Sequence, residues 1–445
     1  MITIHDLPAE LLCEIFQMVQ GRGAQPRPST SLSCYRARFR SLIVLSLVCK
    51  SWRELTLECG ALWSSVPVDT SRVDCLESGS TMVKRSNGAE LELSVHIGTD
   101  LSTPDRARRL VKALMANNAQ IGSLYLSANP RRATGHGARL PETADIVVAA
   151  INLTLTMPHS SSLLRGLRTL SLSLPSPAVI VNISTFLETI KTSKELAYLH
   201  LASFHSIRED CPSTYAVCIP KLCRLSLRAC DAATILSHII TPKTSTIDIV
   251  MDSPKVRKHH RGSHILTALP QSLTNICALE GTAKLILEED ESRGGLRLGL
   301  LPLHSKTSSL LVTNGHHSLE RFILRSLGAI AANPYFGAIQ SFTFSCFSCA
   351  PIPWPTVLNR FDLLSELNTS SCHAMDVAHT LLGTRVDGSP PCSSLRRIRF
   401  CPGPNGREPH VDPQIFATLH KFRLEHHCSA IKITLRRADR GSEEL

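Results

Sequence analysis

The sequence predicts an α/β protein in which a small N-terminal three-helix module precedes a solenoid of degenerate, leucine-rich strand-helix units. Three observations predict this class. Apolar residues recur with helical spacing over residues 7–58, the motif L-x-x-L-x-L returns along the remaining chain, and amphipathic stretches lie between its copies. The 445 residues are 43% hydrophobic and 19% charged, which predicts a folded chain with a sizeable core.

The first predicted helix begins at Pro8, a residue that suits the first turn because the N–H groups there have no helical partner. Gly21, Gly23, Pro26 and Pro28 end this helix. Its apolar residues lie on one face, as in an amphipathic helix. They are Leu7, Leu11, Leu12, Ile15, Phe16 and Val19.

Two further helices are predicted, from about Phe39 to Val48 and from Lys50 to about Glu58. Residues 21–40 are therefore predicted to be an inserted loop. Their Gly, Pro, Ser and Arg content cannot bury enough apolar surface to offset ordering entropy, so we expect the insert to be mobile at least to about Tyr35.

The two apolar segments resemble the two halves of an F-box, a short helical module that attaches a protein to the adaptor of a cullin-based ubiquitin ligase. The resemblance covers residues 4–68, and Ala61–Val66 looks like the continuation seen in the expanded fungal F-box families. The insert is a departure, since the family usually joins the first two helices with a few residues. The motif residues are Leu7, Pro8, Ile15, Phe16, Val48, Cys49 and Trp52.

The resemblance implies that residues 1–68 bind a Skp-type adaptor protein and, through it, a cullin. Some of the implied residues would hold the module together and others would face the adaptor. The implied adaptor-binding set is Leu7, Pro8, Leu11, Ile15, Phe16, Leu47, Val48, Cys49 and Trp52. An ordinary three-helix piece of a larger core is the alternative interpretation.

Residues 69–445 are predicted to be a repeat domain. In an L-x-L strand both leucines point toward the core and the residue between them faces outward. Copies of the motif begin at Ile121, Leu167, Leu196, Leu222, Ile247, Leu285, Ile339, Leu364, Leu395 and Ile431. Helices are predicted between them at residues 144–155, 185–190, 232–240 and 376–382. This body resembles the irregular leucine-rich repeat domains that commonly follow an F-box; the alternative is that L-x-L marks the strands of any α/β protein.

A strand-helix solenoid presents a concave, strand-lined face, and we expect a target protein to bind there or at the adjacent loops. The outward residues between paired leucines are the candidates. Tyr125, His200 and Arg399 are the predicted anchors, because Tyr, His and Arg suit interface anchoring better than Ser or Thr. The same row contains Ser171, Ser226 and Thr343.

Charge and leader patterns favour a cytoplasmic and/or nuclear protein. The formal net charge is +11, but no nucleic-acid-binding module accompanies it, so we expect no nucleic acid partner. The basic run Lys255–Arg261 is a candidate nuclear-localisation signal, although such runs usually belong to solvated loops. The opening residues lack a secretory pattern and no apolar run could span a membrane, so the 16 cysteines are expected to be reduced, small and buried.

No catalytic signature is found, and we expect no enzyme activity, cofactor or metal. Cys346 and Cys349 form a lone C-x-x-C with Cys372-His373 as the nearest further ligands, and buried cysteines are the favoured interpretation. The leading hypothesis is a substrate-receptor subunit of a cullin-type, SCF-like ubiquitin ligase. A ligase-independent F-box scaffold is the alternative, and a hydrolase or transferase hidden in the repeat domain is a third.

Overall fold

A computed structural model of the chain describes most of the predicted elements. The described ranges are residues 7–20, 32–70, 73–97, 109–110, 112–114, 116, 120–128, 165–173, 180–203, 206–208, 215–228, 231–251, 264–270, 273–290, 295–302, 310–314, 319–345, 352–402, 412–437 and 441–444. The chain divides into two compact units, Met1–Pro242 and Lys243–Leu445. The predicted domain boundary at residue 68 therefore falls inside the first unit.

The first unit begins with the three predicted helices. Its helices are α1 (Ala9–Val19), α2 (Leu32–Val48), α3 (Lys50–Glu58), α4 (Val73–Arg85), α5 (Ile183–Thr192) and α6 (Ala232–Ser237), with a short 3-10 helix at Gly60–Trp63. α2 is longer than predicted, so the expectation that residues 32–40 belong to a loop is wrong. The segment contains neither Gly nor Pro after Pro28, so nothing in it stops a helix. Residues 21–31 lie outside the described ranges.

The first unit has one array of six parallel strands. Its strands are β1 (Ser65–Asp69), β2 (Leu91–Ile97), β3 (Ile121–Ala128), β4 (Thr169–Ser173), β5 (Ile180–Asn182), β6 (Tyr198–Ala202), β7 (Ser206–Arg208), β8 (Val217–Cys218), β9 (Arg224–Arg228) and β10 (Ile239–Ile240). The array runs β1-β2-β3-β4-β6-β9. β5 pairs with β7, and β8 with β10, also in parallel.

The second unit has a longer array, ordered β11-β14-β13-β12-β15-β16-β17-β18-β19. Its strands are β11 (Thr246–Met251), β12 (Thr282–Asp290), β13 (Gly295–Pro302), β14 (Leu310–Asn314), β15 (Ser341–Ser345), β16 (Glu366–Ser370), β17 (Arg397–Cys401), β18 (Lys432–Arg437) and β19 (Gly441–Glu444). Its helices are α7 (Leu319–Ala332), α8 (Trp354–Leu358), α9 (Ala374–Leu381) and α10 (Pro413–Glu425), and a 3-10 turn covers Ser371–His373. β13 runs antiparallel to both neighbours and β19 antiparallel to β18.

Every predicted L-x-x-L-x-L copy contains a strand, and most of the paired apolar residues whose burial the structure describes are buried. In the first unit one row of leucines crosses four strands, at Leu124, Leu170, Leu199 and Leu225. In the second unit the equivalent row contains Leu285, Phe342, Leu367, Ile398 and Ile433. These rows form the apolar side of each array, on which the helices can pack.

The predicted helices at 185–190 and 376–382 correspond to α5 and α9. The predicted helix 232–240 is wrong at its end, because α6 stops at Ser237 and Ile239–Ile240 form a strand. The predicted helix 144–155 lies outside the described ranges. A parallel array in the first unit and a mixed, mainly parallel array in the second are therefore established, while the solenoid stays a prediction.

Candidate adaptor-binding surface

The core of the N-terminal module is built around an aromatic pair. Phe16 on α1 is fully buried, and its ring centroid lies 4.7 Å from that of Trp52 on α3. Leu12 lies one turn before Phe16 and is also buried, as is Leu42 on α2. The Phe16–Trp52 contact therefore joins α1 to α3, and α2 also buries an apolar side chain.

Cys49 separates α2 from α3 and caps the latter. Its sulfur accepts a hydrogen bond from the backbone N–H of Trp52 at 3.4 Å. The first N–H groups of a helix have no acceptor within the helix, and this cap provides an acceptor for one of them. Cys49 and Trp52, both half-buried, thus have a structural role in fixing where α3 begins.

Burial also affects the protonation of the Cys13 thiol on α1. Burial raises the pKa of the Cys13 thiol to about 12, and the neighbouring Cys59 thiol adds to this increase. The thiol is therefore protonated at neutral pH and is a poor nucleophile. Cys13 serves as a small packing residue in the module.

α2 carries an exposed apolar stripe on the side away from the core. Val44, Leu47 and Val48 lie three and four positions apart, a spacing that puts them on one helix face. Leu47 is 66% exposed and Val48 56% exposed, and Ile43 is exposed beside them. By contrast, Leu42 and Leu45 are buried, so both sides of α2 are apolar.

A second apolar stripe lies on α1. Leu11, Ile15 and Met18 recur at intervals of four and three residues, and Leu11, Met18 and Val19 are exposed. Within the described ranges twelve large apolar side chains are exposed, and eight of them lie on α1, α2 and α3. Such a concentration of apolar surface is typical of a protein-binding site.

The structure sorts the nine predicted adaptor-binding residues. Pro8, Leu11, Leu47 and Val48 are exposed and available to a partner. Leu7, Ile15, Cys49 and Trp52 are partly exposed. Phe16 has no exposed surface, so we assign it to the core of the module.

Sequence reasoning missed five exposed apolar residues of the same helices. They are Met18, Val19, Ile43, Val44 and Leu57. The sequence contained a signal for this surface. α2 is apolar over more than one face, and packing within the module does not bury all of these faces. Val19 belongs to the predicted apolar face of α1, of which only Leu12 and Phe16 are buried.

The module is joined to the first strands of its own unit. A carboxylate oxygen of Glu92 on β2 lies 3.1 Å from the Arg38 guanidinium of α2, and the Ser65 hydroxyl donates to the same oxygen at 3.2 Å. The Trp63 indole N–H donates to the Thr56 carbonyl at 2.7 Å. The Arg85 guanidinium lies 4.5 Å from the Trp63 ring centroid. These contacts connect the module to α4, β1 and β2.

The three predicted target-binding residues have different environments. Tyr125 is only 8% exposed, so the expectation that it faces solvent is wrong; its neighbours Ser94 and Ser171 in the same row are buried too. Burial raises the pKa of Tyr125 to about 12, and Glu92 adds to this increase. His200 is half-buried with Nδ1 3.0 Å from the Ser226 hydroxyl, whereas Arg399 is exposed.

The other predicted features give no site in the described part of the chain. Cys346, Cys349 and the run Lys255–Arg261 lie outside the described ranges. Within those ranges no group of three or more His, Cys, Asp or Glu side chains is placed to hold a metal, and no helix has the length and apolar character to cross a bilayer.

The expectation of buried cysteines holds only in part. Cys392 is fully buried, whereas Cys218, Cys223 and Cys372 are exposed. The prediction of buried thiols is therefore wrong for these three.

Comparison with known proteins gives one result for the N-terminal module. The chain matches no curated protein. A family model described as F-box-like matches residues 4–66, which contain α1, α2, α3 and the start of β1. The N-terminal residues 4–66 of this chain therefore form an F-box-like domain.

Proposed function

We propose that the chain is a substrate-receptor subunit of an SCF-like, cullin-type ubiquitin ligase. In this function the F-box-like domain binds a Skp-type adaptor, and the strand-bearing remainder binds a target protein. The observation that supports it most is the exposed apolar surface of α1 and α2 within a matched F-box-like domain.

The proposed adaptor surface consists of Leu11, Met18, Val44, Leu47 and Val48. Covering these side chains would remove apolar area from water, the main favourable term in most protein association. The fixed helix ends at Cys49 and the packed Phe16–Trp52 pair keep the two stripes in position before binding. A surface held in place loses little conformational entropy when a partner binds.

The chemistry of ubiquitin transfer would belong to other subunits, and this chain would position the target. Holding a target beside a bound conjugating enzyme raises the effective concentration of its lysines. A firm attachment of the F-box-like domain to the strands of its own unit favours that role. The Arg38–Glu92 ion pair and the Trp63–Arg85 contact supply such a connection within the first unit.

The adaptor surface is tested by Leu47→Ser with Val48→Ser. Both side chains are exposed, so the exchange should leave folding intact while removing apolar contact area. We expect recovery of a Skp-type adaptor in a pull-down to fall roughly tenfold or more, with circular dichroism unchanged. Leu363→Ser with Leu424→Ser is the matched control, because it removes two exposed apolar residues of the second unit. Full adaptor recovery by the Leu47/Val48 variant would refute the proposed surface.

A ligase-independent scaffold that binds the adaptor alone is the second candidate. Both functions use the same surface, so the adaptor pull-down does not separate them. Recovery of a cullin together with the adaptor supports the ligase subunit. Adaptor recovery without cullin, under conditions in which another F-box protein recovers both, supports the scaffold.

A further inference from the structure

The polar side of β15–β18 in the second unit is exposed at Arg397, Arg399 and Lys432, whereas Ser341 on β15 is buried. One row across this side contains Ser341, Glu366, Arg397 and Lys432, and the next contains Thr343, Asn368, Arg399 and Thr434. The Asn368 amide donates to the Thr343 hydroxyl at 3.2 Å. The residues between these rows, such as Leu367 and Ile398, are buried on the opposite side.

Positive charge predominates among the side chains that β16, β17 and β18 place on this side. Arg397 and Arg399 share one carboxylate: Glu366 Oε1 lies 3.7 Å from a guanidinium nitrogen of Arg397 and 3.3 Å from one of Arg399. Both arginine side chains are about half exposed, at 47% and 48%. Lys432 is exposed beside Arg397. Arg397, Arg399 and Lys432 carry three positive charges against the one negative charge of Glu366, which gives a net charge of +2 on these four side chains.

The Glu366 carboxylate also indicates how a ligand would bind. It lies between two guanidinium groups that are two residues apart on one strand, a separation of about 6.6 Å along the chain. Acidic residues at alternate positions of an extended peptide have the same separation. Each guanidinium could then hold one carboxylate in the forked geometry that arginine favours.

We propose that the surface formed by Glu366, Arg397, Arg399 and Lys432, the basic face, binds an extended acidic segment of the target protein with acidic residues at alternate positions. This proposal rests on the proposed function, since it identifies the class of target. It also replaces Tyr125 with Arg397 as a target-binding residue, because Tyr125 is buried and Arg397 is exposed.

The experiment measures fluorescence anisotropy of a labelled peptide of alternating Glu and Ser with the 445-residue chain. The matching Gln-Ser peptide and a labelled single-stranded DNA oligonucleotide of equal charge are the comparison probes. We expect the Glu-Ser peptide to bind more tightly than either, with an affinity that falls as salt rises because the charges are exposed. Absence of Glu-Ser binding, or preferential binding of the oligonucleotide, overturns the proposal.

Substitutions then locate the binding. Arg397→Gln with Arg399→Gln should weaken Glu-Ser binding by roughly three- to tenfold. Glu366→Gln should strengthen it by roughly two- to fivefold, because an internal competitor for the same guanidinium groups is lost. Lys194→Gln with Lys421→Gln removes two exposed charges elsewhere and should have little effect. Equal losses in the two double variants, or weakened binding by Glu366→Gln, would place the peptide elsewhere.

An adaptor pull-down with the same protein samples separates the two proposals. The Arg397/Arg399 variant should recover the Skp-type adaptor at the wild-type yield. Peptide binding without adaptor recovery by the wild-type chain would contradict the proposed function and leave the basic face intact. Adaptor recovery without peptide binding would contradict the basic face alone.

Discussion

At the residue scale, one buried arginine near the end of the second unit donates hydrogen bonds to the backbone of two loops. Arg423 of α10 is 1% exposed, and its guanidinium donates to the carbonyls of Cys392, Ser393 and Leu395 at 3.3, 3.0 and 3.1 Å. Its Nε donates to the Ser429 carbonyl at 3.4 Å. Desolvation lowers the pKa of Arg423. One side chain thus satisfies backbone groups of two loops that precede β17 and β18.

Replacing Arg423 with Met should destabilise the second unit. Met fills much of the space but leaves the buried carbonyls of Cys392 and Leu395 and two partly buried carbonyls without their donor. Each buried unsatisfied group costs about 1–3 kcal/mol. We expect the free energy of unfolding to fall by about 3 kcal/mol or more, measured by urea denaturation followed by circular dichroism. Lys421→Met on the same helix, where the side chain is exposed, should change it little. Equal stability of the two variants would contradict this role of Arg423.

At the scale of elements, β15, α8 and the 3-10 turn meet in an aromatic cluster. The ring of Phe344 lies 5.4 Å from Trp354 and 5.5 Å from His373, measured between centroids. Trp354 is fully buried and His373 is 2% exposed. Desolvation by this burial lowers the pKa of His373, and nearby Asp376 offsets part of that decrease. The cluster therefore contains a neutral imidazole at neutral pH.

This cluster predicts a loss of stability in mild acid. The pKa of His373 is lower in the folded than in the unfolded chain, so the unfolded chain binds the proton first as pH falls. Stability is then complete above the unfolded pKa of about 6.5 and declines as pH falls below it. We expect the midpoint of urea unfolding to fall between pH 7 and pH 5, and by less in His373→Phe. The same decline in both proteins would show that other groups cause it.

The same scale shows how much of the fold could be predicted. Each L-x-x-L-x-L copy contains a strand, because alternating burial within a few residues is a local pattern that sequence displays directly. The strand β13 was missed although Leu296, Leu298 and Leu300 alternate in it. Its direction was also foreseeable. Four residues separate Asp290 from Gly295, a connection too short for a parallel crossover.

The candidate sites were less predictable, for reasons of packing. Phe16 and Leu11 are both apolar residues of α1, but only Phe16 is buried, and its ring packs against Trp52 of a separate helix. Tyr125 occupies the predicted outward position of its strand, yet it is buried. The basic surface around Arg399 could not be predicted from its own segment, because its partner Glu366 lies on a strand about thirty residues earlier.

At the scale of the whole molecule, the proposed tasks fall to different compact units. The first unit contains the F-box-like domain and an array of six parallel strands, of which β2 is joined to the domain by the Arg38–Glu92 ion pair. The second contains the basic face on β16–β18. Adaptor binding and target binding should therefore be separable by substitution, as expected for a protein that connects two partners.

The central claim is that the exposed stripes of α1 and α2 bind a Skp-type adaptor. Hydrogen–deuterium exchange of the 445-residue chain, with and without the purified adaptor, tests it most directly. We predict slower exchange in peptides that cover residues 9–19 and 43–48 when adaptor is added, because covered helix ends open less often. Exchange in β16–β18 should not change. Unchanged exchange in both helices at saturating adaptor, or slower exchange confined to the second unit, would contradict the claim.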